Sequence, residues 1–202
     1  RFVLELWHGP TCAFKDMALQ LLPHLMVSAA RRVLDGKQIL ILVATSGDTG
    51  KAALEGFHDV DGVKIAVFYP NEGVSPMQQL QMATQKGDNV AVYAIEGNFD
   101  NAQTEVKKIF TDPEMIRRMA ACDTVFSSAN SINWGRLVPQ IVYYFSAYAD
   151  LVACECVKLG DPVNFVVPTG NFGNILAGYY AKRMGLPVNK LICASNRNDV
   201  LT

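Results

Sequence analysis

The chain has 202 residues, half of them hydrophobic, and a net charge of −1 from 18 basic and 19 acidic side chains. That is enough apolar material for a sizeable core and too even a charge for a nucleic-acid or polybasic membrane surface, since basic residues gather only into pairs such as Arg31-Arg32 and Arg117-Arg118. No apolar run approaches the roughly 20 residues that cross a bilayer, and the five cysteines, with Cys154 and Cys156 in a C-x-C pair, fit neither a zinc knuckle nor a thioredoxin motif and read as reduced thiols of a cytoplasmic protein.

The predicted elements alternate along the chain. Residues 2–6 read as a buried strand, followed by a long helix over 15–34, a strand over 39–44 and a helix over 51–57. A strand over 63–69, a helix over 76–86, a strand over 90–95 and a helix over 101–110 continue the pattern. Next come a short strand at 124–126, a helix over 134–148, a strand over 164–167, a helix over 174–184 and a strand over 191–194. Strand and helix in alternation predict an α/β fold with doubly wound parallel sheets and helices on both faces, its functional loops at the C-terminal ends of the strands. The abrupt start at Arg1, inside the first expected strand, and the stop at Thr202 read as a piece of a longer protein.

Four segments carry chemistry. In Trp7-His8-Gly9-Pro10-Thr11-Cys12-Ala13-Phe14-Lys15-Asp16 a tight turn leads into the first helix and sets Lys15 at its start. Positive charge is disfavoured at a helix N-terminus, so this position favours the neutral, nucleophilic amine that condenses with an aldehyde. A solvated first-turn lysine is the plain alternative.

The loop Ala44-Thr45-Ser46-Gly47-Asp48-Thr49-Gly50-Lys51 gathers amides, hydroxyls and two glycines where a strand meets a helix, the setting of an anion site. It departs from a nucleotide P-loop at Thr45 and Ala52, and an ordinary capping turn would carry similar residues. The loop Pro168-Thr169-Gly170-Asn171-Phe172-Gly173-Asn174 suits a phosphate held by successive N–H groups. It lacks the third glycine and the acidic residue of a dinucleotide site, and a plain glycine turn is again the alternative. In Ser127-Ser128-Ala129-Asn130-Ser131-Ile132-Asn133-Trp134-Gly135-Arg136, an arginine sits early in a helix, where it wants an anionic partner, although a capping cluster beside a surface arginine fits as well. The three histidines are too scattered for a metal site, and no metal is expected.

In this order and at these separations, HGPTCAFKD, ATSGDTG, FSSANSINWGR and PTGNFGN resemble the threonine synthases, pyridoxal-phosphate enzymes of the tryptophan synthase β-like fold (fold type II). The likeness runs the length of the chain and includes Glu96-Gly97-Asn98-Phe99-Asp100. It implies pyridoxal 5'-phosphate as cofactor, with Lys15 as the Schiff-base lysine and proton shuttle, and Gly170, Asn171, Phe172, Gly173 and Asn174 around the cofactor phosphate. Ser46, Gly47 and Thr49 match the loop that takes the substrate carboxylate. Asp48 matches a position of that loop beneath the cofactor, where many relatives carry asparagine. Ser131, Asn133 and Arg136 resemble the pocket for the substrate phosphate.

The implied reaction converts O-phospho-L-homoserine and water into L-threonine and phosphate. A phospho-lyase giving 2-oxobutyrate, or a catalytically silent piece of the fold, is the alternative. The resemblance further implies a large domain built in part from residues 1–36 and 151–202 and a small domain over 37–150, a small-molecule substrate, and no nucleic-acid or membrane partner. It leaves the oligomeric state open.

Overall fold

The computed structural model describes residues 1–131 and 133–197. The chain divides into two compact units, one of Glu5–Asn133 and one of Arg1–Leu4 with the residues from Trp134 onward.

The larger unit is built on a parallel sheet whose strands are β1 (Gln38–Ala44), β2 (Val63–Pro70), β3 (Val90–Ile95) and β4 (Thr124–Ser127), in the order β3-β2-β1-β4. Alternation along β1 explains why both faces are covered. Ile39, Ile41 and Val43 join one core with Val63, Ile65, Val67, Leu54 and Phe57, whereas Leu42 and Ala44 join a second with Ala102 and Val106. The first core is closed by α1 (Asp16–Leu19), α2 (Leu22–Val33), α3 (Asp48–Phe57) and Met82 of α4 (Pro76–Ala83); the second is closed by α5 (Phe99–Thr111). Side chains set the helix starts. Ser75 and Gln78 form a capping box at α4, and Asn98 and Asn101 form another at α5.

In the smaller unit, β5 (Val163–Pro168) and β6 (Val188–Ala194) pair in parallel through α8 (Gly173–Arg183), and the 20-residue α7 (Trp134–Ala153) packs on α8. The α/β class with parallel sheets and two-sided helical cover is therefore the one expected.

Three local expectations are corrected. Residues 2–6 form no strand; Phe2 and Val3 are 68% and 76% exposed, and a strand needs a ladder partner that the described residues do not supply. The single helix expected over 15–34 is two, broken at Gln20-Leu21. Pro23 explains the break, because its ring would collide with the carbonyl of Leu19 in a continuous helix, yet it is tolerated in the first turn of α2. An unforeseen helix, α6 (Pro113–Ala120), follows α5. Asp112 starts it by accepting the Glu114 and Met115 N–H groups at 2.8 and 3.3 Å, with Pro113 in its first turn.

Candidate functional site

The strand order of the larger unit fixes where a ligand crevice lies. The chain winds one way from β1 through β2 to β3 and then returns to the other side of β1 with β4, so the topological switch falls between β1 and β4. The loops leaving those two strands carry Ser46–Thr49 and Ser128–Ser131 with Asn133. They are joined directly, since Asn130 Nδ2 donates to the Ala44 carbonyl at 2.9 Å. Asn133 in turn donates to the Ser128 carbonyl at 2.6 Å, and Ser131 is half-buried in the same loop.

Thr45, buried at the end of β1, shapes the first loop. Its hydroxyl accepts the N–H groups of Gly47 and Gly50 at 3.0 and 2.9 Å and donates to the Gly47 carbonyl at 3.1 Å. Gly47 has φ +149°, a conformation open only to glycine, and the Gln78 side chain covers it; an added Cβ would sit 2.4 Å from Gln78 Nε2. Gln78 Nε2 also donates to Asp48 Oδ1 at 2.7 Å, while its Oε1 accepts the Ser75 N–H at 3.1 Å. A Gly47→Ala substitution therefore strains the backbone and displaces Gln78, and it is expected to destabilise the protein by about 1–3 kcal/mol in urea denaturation.

Lys15 reaches this loop. Its Nζ lies 3.5 Å from Asp48 Oδ2 and 4.4 Å from the centre of the Phe14 ring, with the side chain only 17% exposed. The long helix expected beneath Lys15 is reduced to the four residues of α1, so the dipole argument for a neutral amine loses its basis. A turn locked by Asp16 holds the lysine instead. The Asp16 carboxylate is 3% exposed and accepts the Thr11 backbone N–H at 2.9 Å and the Thr11 hydroxyl at 2.6 Å. Gly9 leaves room for it, since a Cβ there would lie 2.6 Å from Asp16 Oδ2. A Thr11→Val variant leaves one oxygen of a buried carboxylate unpaired, and we expect a loss of about 1.5–3 kcal/mol in the same denaturation measurement.

The remaining expected residues belong to the smaller unit. Gly170 (φ +46°) and Phe172 (φ +61°) are left-handed and curl the loop between β5 and α8 into a concave turn that delivers Gly173 and Asn174 to the start of α8. Asn171 is exposed on that turn. Asn174 is fixed by two buried tyrosines of α7. Tyr143 and Tyr144 donate to its Oδ1 at 2.5 and 2.8 Å, and Tyr144 also reaches its carbonyl at 2.7 Å. Burial, with mutual repulsion at Tyr143, holds both phenols above their usual range, so they remain donors. Arg136 opens the same helix and is buried, 4% exposed; desolvation lowers its guanidinium to about 10, which leaves it charged at neutral pH.

Comparison with known proteins gives the family. A family model described as "Pyridoxal-phosphate dependent enzyme" matches residues 2–201. The chain belongs to this family. Within the pyridoxal-phosphate dependent enzymes it is 50% identical to a threonine synthase of Pseudomonas aeruginosa, over 99% of this chain and 40% of that protein. It is also 48% identical to a human protein named threonine synthase-like 1, over 100% of this chain and 28% of the relative. Among solved structures, a PLP-bound threonine synthase from Brucella melitensis superposes with a TM-score of 0.84 at 48% identity, over 99% of this chain and 40% of that one. The yeast threonine synthase gives 0.83 at 42% identity, over 98% and 38%. The chain thus spans about a quarter to two fifths of the length of these relatives.

The residues present fit the family's cofactor. A Cβ built on Gly170 or Gly173 meets nothing within 4 Å, so the loop offers an open cradle of backbone at the start of an 11-residue helix, where first-turn N–H groups have no intrahelical acceptor. A primary amine held in a defined, largely buried position, that of Lys15, suits an aldehyde. Among the described residues no group of three or more His, Cys, Asp or Glu side chains is placed to hold a metal ion, and no helix is long and apolar enough to cross a membrane.

Thr11, Asp16, Thr45, Gln78, Tyr143 and Tyr144 escaped the sequence reading as supports of the site. A T-x-x-x-x-D spacing around Lys15 was visible. The 30-residue reach from Asp48 to Gln78 left no local signal.

Proposed function

We propose that the whole protein is a threonine synthase, acting on O-phospho-L-homoserine and water to give L-threonine and phosphate. The observation that carries this reading is the contact of Lys15 with Asp48 at the switch point, in a chain 50% identical to a threonine synthase over nearly its full length. When bound, pyridoxal phosphate supplies an aldehyde for covalent attachment and a ring that draws electron density from the substrate's α-carbon.

Lys15 is assigned to hold the cofactor and, once its amine is released, to move protons at Cα and Cβ of the substrate. Asp48, steadied by Gln78, faces that amine and is assigned to the cofactor's phenolic oxygen. Ser46, Gly47 and Thr49 are assigned to the substrate carboxylate, with hydroxyls and the N-terminal amides of α3 as donors. Gly170, Asn171, Phe172, Gly173 and Asn174 are assigned to the cofactor phosphate, and Ser131, Asn133 and Arg136 to the substrate phosphate. In the longer protein, residues 1–36 and 151–202 are assigned to the larger domain and 37–150 to the smaller; in this chain residues 5–36 pack with the four-stranded sheet. Five unpaired cysteines support a cytoplasmic location.

The test is product analysis with the full-length protein and O-phospho-L-homoserine. Threonine and phosphate in equal amounts support the proposal. Phosphate with 2-oxobutyrate and ammonia replaces it by a phospho-lyase, and no phosphate release overturns both. An Arg136→Gln variant is expected to raise KM for the phosphorylated substrate about 10- to 100-fold, from the loss of charged hydrogen bonds, while cofactor content stays unchanged.

A further inference from the structure

The end of α7 carries two thiols that the proposed reaction does not use. Cys154 and Cys156 are both exposed, and their sulfur atoms lie 2.9 Å apart. The chain holds them there. Glu155 between them is left-handed at φ +58°, the Cys154 N–H donates to the Asp150 carbonyl at 2.9 Å, and the Cys156 and Val157 N–H groups converge on the Leu151 carbonyl at 3.0 and 3.3 Å. This is a helix end closed by a left-handed residue, and it fixes both side chains on one side of the turn. The sulfurs are already closer than non-bonded contact and need to move less than about 1 Å to reach the bonding separation of a disulfide, about 2.05 Å.

We infer that Cys154 and Cys156 form a reversible dithiol–disulfide couple that exchanges with small-molecule disulfides such as oxidised glutathione. The chemistry balances as two successive exchanges. One cysteine, as thiolate, attacks a sulfur of the small disulfide, forming a mixed disulfide and expelling one small thiolate, which takes up the proton the cysteine lost. The second cysteine loses its proton and attacks the protein sulfur of that mixed disulfide, closing the Cys154–Cys156 bond and expelling the second small thiol. The protein gives up two electrons and two protons; the small disulfide gains them as two thiols. Holding the second thiol against the first makes this second step effectively unimolecular. The hydrogen bond with Cys154 raises the Cys156 thiol above its usual range. The other three cysteines offer no such arrangement: Cys12 and Cys122 are exposed singly, and Cys193 sits against the Thr169 hydroxyl at 3.4 Å.

The experiment uses the full-length protein, incubated with oxidised glutathione, quenched with an alkylating agent and mapped by peptide mass. The expected result is a 154–156 peptide lighter by two hydrogens, with little retained glutathione. The Cys154→Ser and Cys156→Ser variants, unable to complete the second exchange, are expected to retain glutathione on the remaining thiol at roughly tenfold or more the wild-type level. Subsequent dithiothreitol should restore both thiols. Glutathione retained on the wild-type pair as fully as on the variants would overturn the proposal. So would alkylation of both thiols under conditions that oxidise Cys12 or Cys122.

Discussion

Replacing Lys15 by alanine in the full-length protein lowers kcat by at least about a thousandfold, within the range lost with a positioned acid–base group. The expectation is this large because one amine is assigned two tasks, covalent attachment of the cofactor and proton movement at two adjacent carbons. Lys51, on α3 only three residues beyond Asp48, is engaged with Glu55 at 3.1 Å and with Gln85. Phosphate release from O-phospho-L-homoserine by the Lys15→Ala variant, at matched cofactor content, is the measurement. Activity within about tenfold of the parent would remove Lys15 from the chemistry.

A Gly56→Ala substitution is the second large effect, and it acts through backbone rather than through any polar group. Gly56 of α3 faces the end of α1, and a Cβ added there would lie 2.1 Å from the Leu19 carbonyl oxygen and 2.9 Å from its carbon. No rotamer change relieves a collision between a Cβ and a backbone carbonyl, so α1 and α3 must separate. We expect a destabilisation of about 3 kcal/mol, the upper part of the range for over-packing, read as a fall of about 6 °C or more in the thermal midpoint. Because α1 begins directly after Lys15, the same shift moves the amine relative to Asp48. A displacement near 1 Å is expected to cost roughly a hundredfold in turnover among the molecules that remain folded. A midpoint within about 1 °C of the parent would show that the two helices tolerate a wider spacing.

The apolar runs 39–44 and 63–69 placed β1 and β2 to within a residue, because a strand buried on both faces has few other readings. The run 15–34 has unbroken helical spacing, and only the steric demand of Pro23 divides it, a cost that periodicity does not register. Residues 2–6 have the composition of a strand, but strand formation depends on a neighbour, which local sequence does not contain. α6 was legible in principle from Asp112-Pro113-Glu114, a capping residue followed by a first-turn proline.

The site divides in the same way. Its motifs stood out because glycines, hydroxyls and a lysine at strand ends are chemically conspicuous. The grouping of the Ser46–Thr49 and Ser128–Ser131 loops at a switch point followed only from the strand order β3-β2-β1-β4, a long-range property. Buried supports were the least visible. Tyr143 and Tyr144 carry no local mark of a polar role, and they are buried, yet their hydroxyls fix Asn174 thirty residues further along. For Arg136 the local sequence fits an arginine seeking an anion or a surface arginine equally, and its burial at 4% exposure removes only the second.

Borohydride reduction of the full-length protein with pyridoxal phosphate, followed by mass mapping of the modified peptide, tests the central claim most directly. The account predicts one modified residue per chain, Lys15, in the peptide containing Phe14 and Asp16. Modification at Lys51 or at another single lysine, or spread over surface lysines without preference for Lys15, would contradict it.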